Sequence, residues 1–217
     1  MRQSNLLLAL ALLVSCEQDV YEKGDSASSY RRADFVEAYA NPTKQVEYVV
    51  TDDGDSLQLT APYTGSWVQR PDTVYRAVLY YNQRGQQAEV LNFGLVATLV
   101  PQQAPEGFVK WKEDPVGLET VWLSRSKKYL NLGLLLKTGQ TEQKNQMQAV
   151  GVVNLGTTMN TDSTFTCTLV LSHSQGNVPE YYTQRTYLSI PVEGLEADSL
   201  RFILNTYNGY VTRKFRL

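Results

Sequence analysis

Residues 74–82, VYRAVLYYN, and residues 88–100, AEVLNFGLVATLV, decide the fold. In the first run Tyr75, Ala77, Leu79 and Tyr81 fall on alternate positions, with Arg76, Val78 and Tyr80 between them. A period of two belongs to a strand, whose successive side chains point to opposite faces. In the second run Leu91, Phe93, Leu95, Ala97 and Leu99 keep that period. Both runs should therefore turn an apolar face toward one core. Gln83-Arg84-Gly85-Gln86 joins them, a hairpin connection whose glycine accepts a positive φ.

Upstream, residues 45–50 and 57–60 flank Asp52-Asp53-Gly54-Asp55 and form another hairpin. A calcium loop fails here, because the acidic spacing is wrong and no glutamate follows at the twelfth position. Residues 62–72 form a loop carrying Tyr63 and Trp67, whose rings are candidate exposed contacts for a partner. Five strands within residues 30–105 suit a small barrel. Pro101, Pro105 and Pro115 mark residues 101–115 as an open connection, with Lys110 and Lys112 as protease sites and Phe108 and Trp111 as possible wedges. Beyond it, residues 119–123, 129–137, 147–154, 165–171, 184–190, 199–207 and 210–216 read as strands of an immunoglobulin-like sandwich covering residues 106–217. Leu130, Leu132, Leu134 and Leu136 alternate with Asn131, Gly133 and Leu135, a strand covered on one face and partly on the other. No stretch after the N-terminus keeps a 3.6-residue period, so the class is all-β.

The N-terminus sets the compartment. Arg2 precedes the apolar residues 6–14, LLLALALLV, and the run ends Leu13-Val14-Ser15-Cys16. That is the layout of a secretory signal peptide over residues 1–15. The run is too short for a hydrocarbon core that needs about 20 residues. Its last four residues resemble a bacterial lipobox, which implies cleavage before Cys16 and lipid on its sulfur and amino group. Residues 16–29 continue as a polar tether, spanning about 20 Å if flexible. Its acidic start, Glu17 and Asp19, loosely resembles the export signals of Bacteroidetes lipoproteins. The expected location is the bacterial envelope, lipid-anchored and at the outer membrane.

Composition narrows the chemistry. The 217-residue chain has a net charge of −2 and one histidine, His173. No metal site and no cofactor are expected. Cys167 has no partner once Cys16 carries lipid, and it alternates with Leu169 and Leu171 as a core residue. The barrel half holds more acidic than basic side chains, which argues against nucleic acid. Ser124-Arg125-Ser126-Lys127 and Lys137-Thr138-Gly139 imitate the S-x-x-K and K-T-G of serine acylases. They lie too close together, between β-runs, with no Ser-Asp-Asn element, so turn chemistry explains both. His173 reads as a solvated loop residue or strand cap, and Asp114-Pro115 as a turn start. Tyr80-Tyr81 and Tyr181-Tyr182 should each place one ring in a core and one outside.

The order of features resembles the NigD-like lipoproteins of Bacteroidetes. The matching pieces follow the lipobox as Asp53-Gly54-Asp55-Ser56-Leu57, then residues 74–81. Residues 112–116, Val121-Trp122-Leu123, Tyr129-Leu130-Asn131-Leu132 and Leu171-Ser172-His173 complete them. The resemblance implies an OB-like barrel followed by a β-sandwich, and it implies no reaction. The functional expectation is a non-catalytic envelope lipoprotein that binds a protein or glycan partner. The alternatives are a bacteriocin-associated accessory of immunity type and a small envelope hydrolase.

Overall fold

The computed structural model describes residues 31–104, 111–140 and 146–217. Cys16, the signal peptide, the tether, Phe108 and Lys110 lie outside the described residues. Fourteen strands and no helix occur among those described.

Five strands close into a barrel: β1 (Arg31–Ala40), β2 (Val46–Thr51), β3 (Ser56–Tyr63), β4 (Val74–Arg84) and β5 (Gln87–Leu95). The order is β1-β2-β3-β5-β4, with β4 paired back to β1, as in an OB-like barrel. β3 and β5 run parallel, and the other neighbours are antiparallel. The expected turns form where glycine takes positive φ, at Gly54 (92°) and Gly85 (61°). Ala77, Leu79 and Tyr81 of β4 are buried together with Val36, Ala38, Leu57 and Leu59.

The β5 face departs from the alternation. Tyr80 pairs with Asn92 and Tyr81 with Val90, leaving Leu91 as a bulge that flips the parity of the strand. Ala88 lies inside before the bulge and Phe93 after it, while Leu91 and Leu95 are exposed. Ala97 and Leu99 do not extend β5. Ala97–Thr98 forms β6, which pairs parallel with a sandwich strand, and Leu99 donates its N–H to Ser189.

The sandwich has two sheets. One is β6 with β8 (Gly117–Leu123), β9 (Tyr129–Thr138) and β12 (Tyr182–Pro191), in the order β6-β12-β9-β8. The other contains β7 (Gln102–Gln103), β10 (Ala149–Met159), β11 (Phe165–Ser174), β13 (Ser199–Thr206) and β14 (Gly209–Arg216), in the order β14-β13-β11-β10-β7. Leu130, Leu132 and Leu134 meet Leu169, Leu200, Phe202 and Leu204 in the core between the sheets, with Cys167 among them. Each such leucine contributes about 1.5–3 kcal/mol by leaving water. β11 and β13 run parallel, a departure from the antiparallel sheets of immunoglobulin domains.

The expected open connection is not open where it is described. Gln102–Gln103 pairs with β10. Past Val170 the strands β11 and β13 separate, and residues 112–116 enter between them. His173 donates its N–H to Lys112 O, Asp114 to His173 O, Val116 to Asn205 O and Tyr207 to Val116 O. Pro101 and Pro115 lack donors, but the residues beside them supply the ladder bonds that the prolines cannot. Trypsin is therefore expected to spare Lys112, whose carbonyl accepts bonds of 3.0 and 3.1 Å from His173 N and Ser172 Oγ. Limited digestion of the native protein with N-terminal sequencing checks this; an early cut after Lys112 would contradict the pairing.

Candidate functional site

Among the described residues, a dense group of bonded polar side chains lies where the barrel meets the sandwich. Alternation along β4 places Arg76 opposite Ala77, on the outer face of the barrel. On β9 and β12 it places Asn131 and Ser189, which are register partners, on the outer face of the sandwich. Packing these two faces buries all three, at 5%, 0% and 0% exposure. Arg76 donates from Nε to Ser189 Oγ (3.0 Å) and from Nη2 to Asp52 Oδ2 (2.7 Å) and Asn131 Oδ1 (3.0 Å). Asn131 Nδ2 donates to the same Asp52 oxygen at 2.7 Å, and the Ser189 hydroxyl to Asn131 Oδ1 at 2.7 Å. The guanidinium lies 4.1 Å from the Tyr129 ring centroid and 5.4 Å from that of Phe35. Phe35 in turn meets Trp122 and Tyr187 edge-on.

Beside it, Glu37 of β1 crosses the same boundary. Its carboxylate accepts from Lys128 Nζ (3.2 Å), Tyr129 Oη (2.9 Å) and Tyr39 Oη (3.1 Å). Burial pushes the Glu37 carboxyl up, but the bonds from Tyr129, Lys128 and Tyr39 outweigh it and hold the group below the usual glutamate range. Burial and the bond to Glu37 push the Tyr129 phenol far up, so it stays a donor. A depressed folded-state pKa contributes stability above the ordinary value of 4.5 and loses it as pH falls through the folded value. Glu37→Gln is therefore expected to cost about 1–2 kcal/mol at neutral pH and to flatten the acid limb of the stability curve below pH 4.5. Urea melts at stepped pH read it directly; an unchanged acid limb would exclude Glu37 as its source.

The sequence-derived candidates fall elsewhere. Tyr63 and Trp67 are half-buried and cap the barrel core. Both pack on Phe93, at 4.9 and 5.2 Å between centroids, and Tyr63 Oη donates to Phe93 O. Tyr81 lies inside and Tyr80 outside, as alternation predicts. Tyr181 and Tyr182 are both exposed, because they precede the part of β12 that the barrel and the sandwich core cover. Of the two readings of His173, the solvated loop residue fails and the hydrogen-bonded strand cap holds: it lies near the end of β11, is 2% exposed, and its Nδ1 lies 2.9 Å from Asp114 O. Ser124 Oγ contacts Ser126 Oγ and accepts from Tyr129 N, and Lys127 takes φ 59°, the turn geometry expected of that segment. Ser172 Oγ donates to Lys112 O. Neither hydroxyl touches a base. No group of three or more His, Cys, Asp or Glu arranged to hold a metal ion occurs among the described residues.

Exposed rings gather at the far end of the sandwich. Tyr210, 63% exposed, borders a cleft of about 420 Å³ together with Trp111, Lys112, Glu113 and Asp114. Tyr207 lies close by, its ring 4.3 Å under Lys137 Nζ. The Asn208-Gly209 turn, with Gly209 at φ 99°, carries both rings, but nothing local ties that turn to residues 111–114.

The fold defines a two-part all-β protein, an OB-like barrel joined to a β-sandwich. No family model matches the sequence, and no curated protein matches it significantly. Solved structures do share the fold. A NigD-like immunity protein from Bacteroides caccae is 21% identical, with 85% of this chain and 96% of that one aligned at a TM-score of 0.62. A candidate toxin-related protein from Parabacteroides distasonis is 16% identical over 86% and 93%, at 0.63. A candidate lipoprotein from Bacteroides fragilis is 12% identical over 85% and 96%, at 0.57. These likenesses of fold are consistent with the NigD-like resemblance carried by the motifs. None of the three is named as an enzyme.

Proposed function

We propose that this protein is a non-catalytic lipoprotein of the bacterial envelope, held at the outer membrane through Cys16, that presents its joined barrel and sandwich to a protein or glycan partner. The polar seam carries this reading. Asp52, Arg76, Asn131, Ser189, Glu37 and Tyr129 lie buried or half-buried at the boundary, and they bond one another across it. Such bonding makes a stiff body of two small domains, which suits presentation of a surface better than turnover. Photo-crosslinking in intact cells, followed by mass spectrometry, tests it. Specific capture of one envelope component is the expected result. Hydrolysis of envelope material by the purified protein, lost on Ser124→Ala or Ser172→Ala, would overturn it.

A second reading, an accessory of immunity type, is favoured by the likeness to the NigD-like immunity protein. Its test is protection of a sensitive strain, on expression of this chain, against a toxin encoded next to its gene.

A further inference from the structure

We propose that the end of the sandwich around Lys112, Asp114 and Tyr210 binds a neutral oligosaccharide, an inference that rests on the binding-module reading above. Two clefts of about 420 Å³ each open there and share Lys112 and Asp114. Either lies in the volume range of small-molecule sites. One is bordered by Glu113 and Tyr210, and the other runs on toward Gln175 and Glu180.

The lining selects the ligand class. Among the described residues, the first cleft carries one ammonium, Lys112, against the carboxylates of Asp114 and Glu113, while in the second Lys112 faces Asp114 and Glu180 is already paired with Lys137. In the first cleft the excess of negative charge repels phosphate and nucleotide. Interspersed donors and acceptors suit hydroxyls, and they are costly to desolvate against a purely apolar ligand. A sugar ring combines an apolar C–H face with a hydroxyl rim, and Tyr210 offers the matching surface. Its phenol donates to Glu113 Oε2 at 2.8 Å, which fixes the ring in one orientation while it stays 63% exposed. Beside the second cleft, Glu180 holds Lys137 at 3.1 Å, and Lys137 lies over the Tyr207 ring. Two adjoining clefts that share Lys112 and Asp114 favour a ligand of several units.

The ridge between the clefts is built before any ligand arrives. Its backbone is bonded to β11 through His173 and Ser172, and Asn205 Nδ2 donates to Glu113 O at 2.7 Å. Gln175 donates its N–H to Asp114 Oδ2 at 2.7 Å, so that carboxylate too is held in place. Little ordering is left for binding to do.

The test uses the full-length protein in detergent on an array of neutral, amino and uronic oligosaccharides, with calorimetry on the best-retained neutral one. Neutral oligosaccharides should be retained, and Tyr210→Ala should weaken them about tenfold through loss of the stacking face. Asp114→Asn keeps the shape and should weaken them several-fold, with both variants melting like the parent. An empty array, or retention indifferent to Tyr210→Ala, overturns the proposal. If cellular crosslinking then captures a protein, and that capture is lost in Tyr210→Ala, the surface docks protein and the binding-module reading stands. If neither a glycan nor a protein is captured, both fail.

Discussion

Replacing Arg76 by methionine is expected to destabilise the whole protein by about 3–5 kcal/mol, the cost of leaving a buried charge without its partner. Asp52 is the charge left behind: its side chain is 15% exposed, and its Oδ2 would keep only Asn131 as a donor. Asn131 and Ser189, both fully buried, would lose a donor as well. For a protein of this size the melting temperature should fall on the order of 6–20 °C. The companion variant Arg76→Met/Asp52→Asn removes the orphaned charge along with its cause. It should recover about 1–3 kcal/mol, the coupling usual for residues in one network. Arg76→Lys should be intermediate, since an ammonium cannot fork between Ser189, Asp52 and Asn131 while stacking on Tyr129. Denaturant unfolding of the three variants, with fluorescence and circular dichroism followed together, decides the matter. A change below about 0.5 kcal/mol in Arg76→Met, the range of ordinary surface substitutions, would mean that the seam does not hold the halves together. Separate transitions in the parent would mean the same.

What the sequence made legible was local. The strands came from alternation, and the turns at Gly54 and Gly85 from residues that only a tight connection favours. The lipobox resemblance likewise needs a few neighbouring positions. The seam was not legible, because its contacts are long-range: Asp52 lies 24 residues from Arg76 and 79 from Asn131. In a lone β4, Arg76 reads as an ordinary outward residue, and no periodicity shows that a second domain will cover that face. One sign was present. Asn131 and Ser189 stand inside apolar runs, Leu130-Asn131-Leu132 and Leu188-Ser189-Ile190, where the far face of each strand had to meet something polar. The Leu91 bulge was hidden for a different reason. One inserted residue flips the face of β5 while leaving an apolar pattern that still looks continuous. The ridge at residues 112–116 was misjudged through composition: polar residues beside prolines usually mean an open loop, yet here the polar backbone fills a gap between β11 and β13.

Cys16→Ala is expected to abolish lipid-mediated attachment to the membrane, the other large effect. No helix among the described residues is long and apolar enough to cross a membrane. The folded body carries its large apolar side chains mainly in two cores, so acyl chains at Cys16 are the attachment proposed for it. Each buried CH2 of such a chain contributes about 0.8 kcal/mol, and two signals suffice for stable anchoring. Several chains on one residue leave almost no free protein; none leaves almost no bound protein. Alanine also removes the sulfur that must be lipidated before a lipoprotein-type cut, so the variant should keep residues 1–15. If a general signal peptidase cuts instead, it should be released as a soluble form. Radiolabelled palmitate, membrane fractionation and the mass of the mature N-terminus separate these outcomes. The parent should take up label and sediment with membranes, and the variant should take up none. The competing account, a plain signal peptide with an incidental cysteine, requires an unlabelled parent that is processed like the variant. Equal labelling of the two proteins would end the lipoprotein reading, because no other cysteine near the N-terminus could carry the lipid: Cys167 is buried in the sandwich core, its thiol pushed up by burial and unsuited to modification.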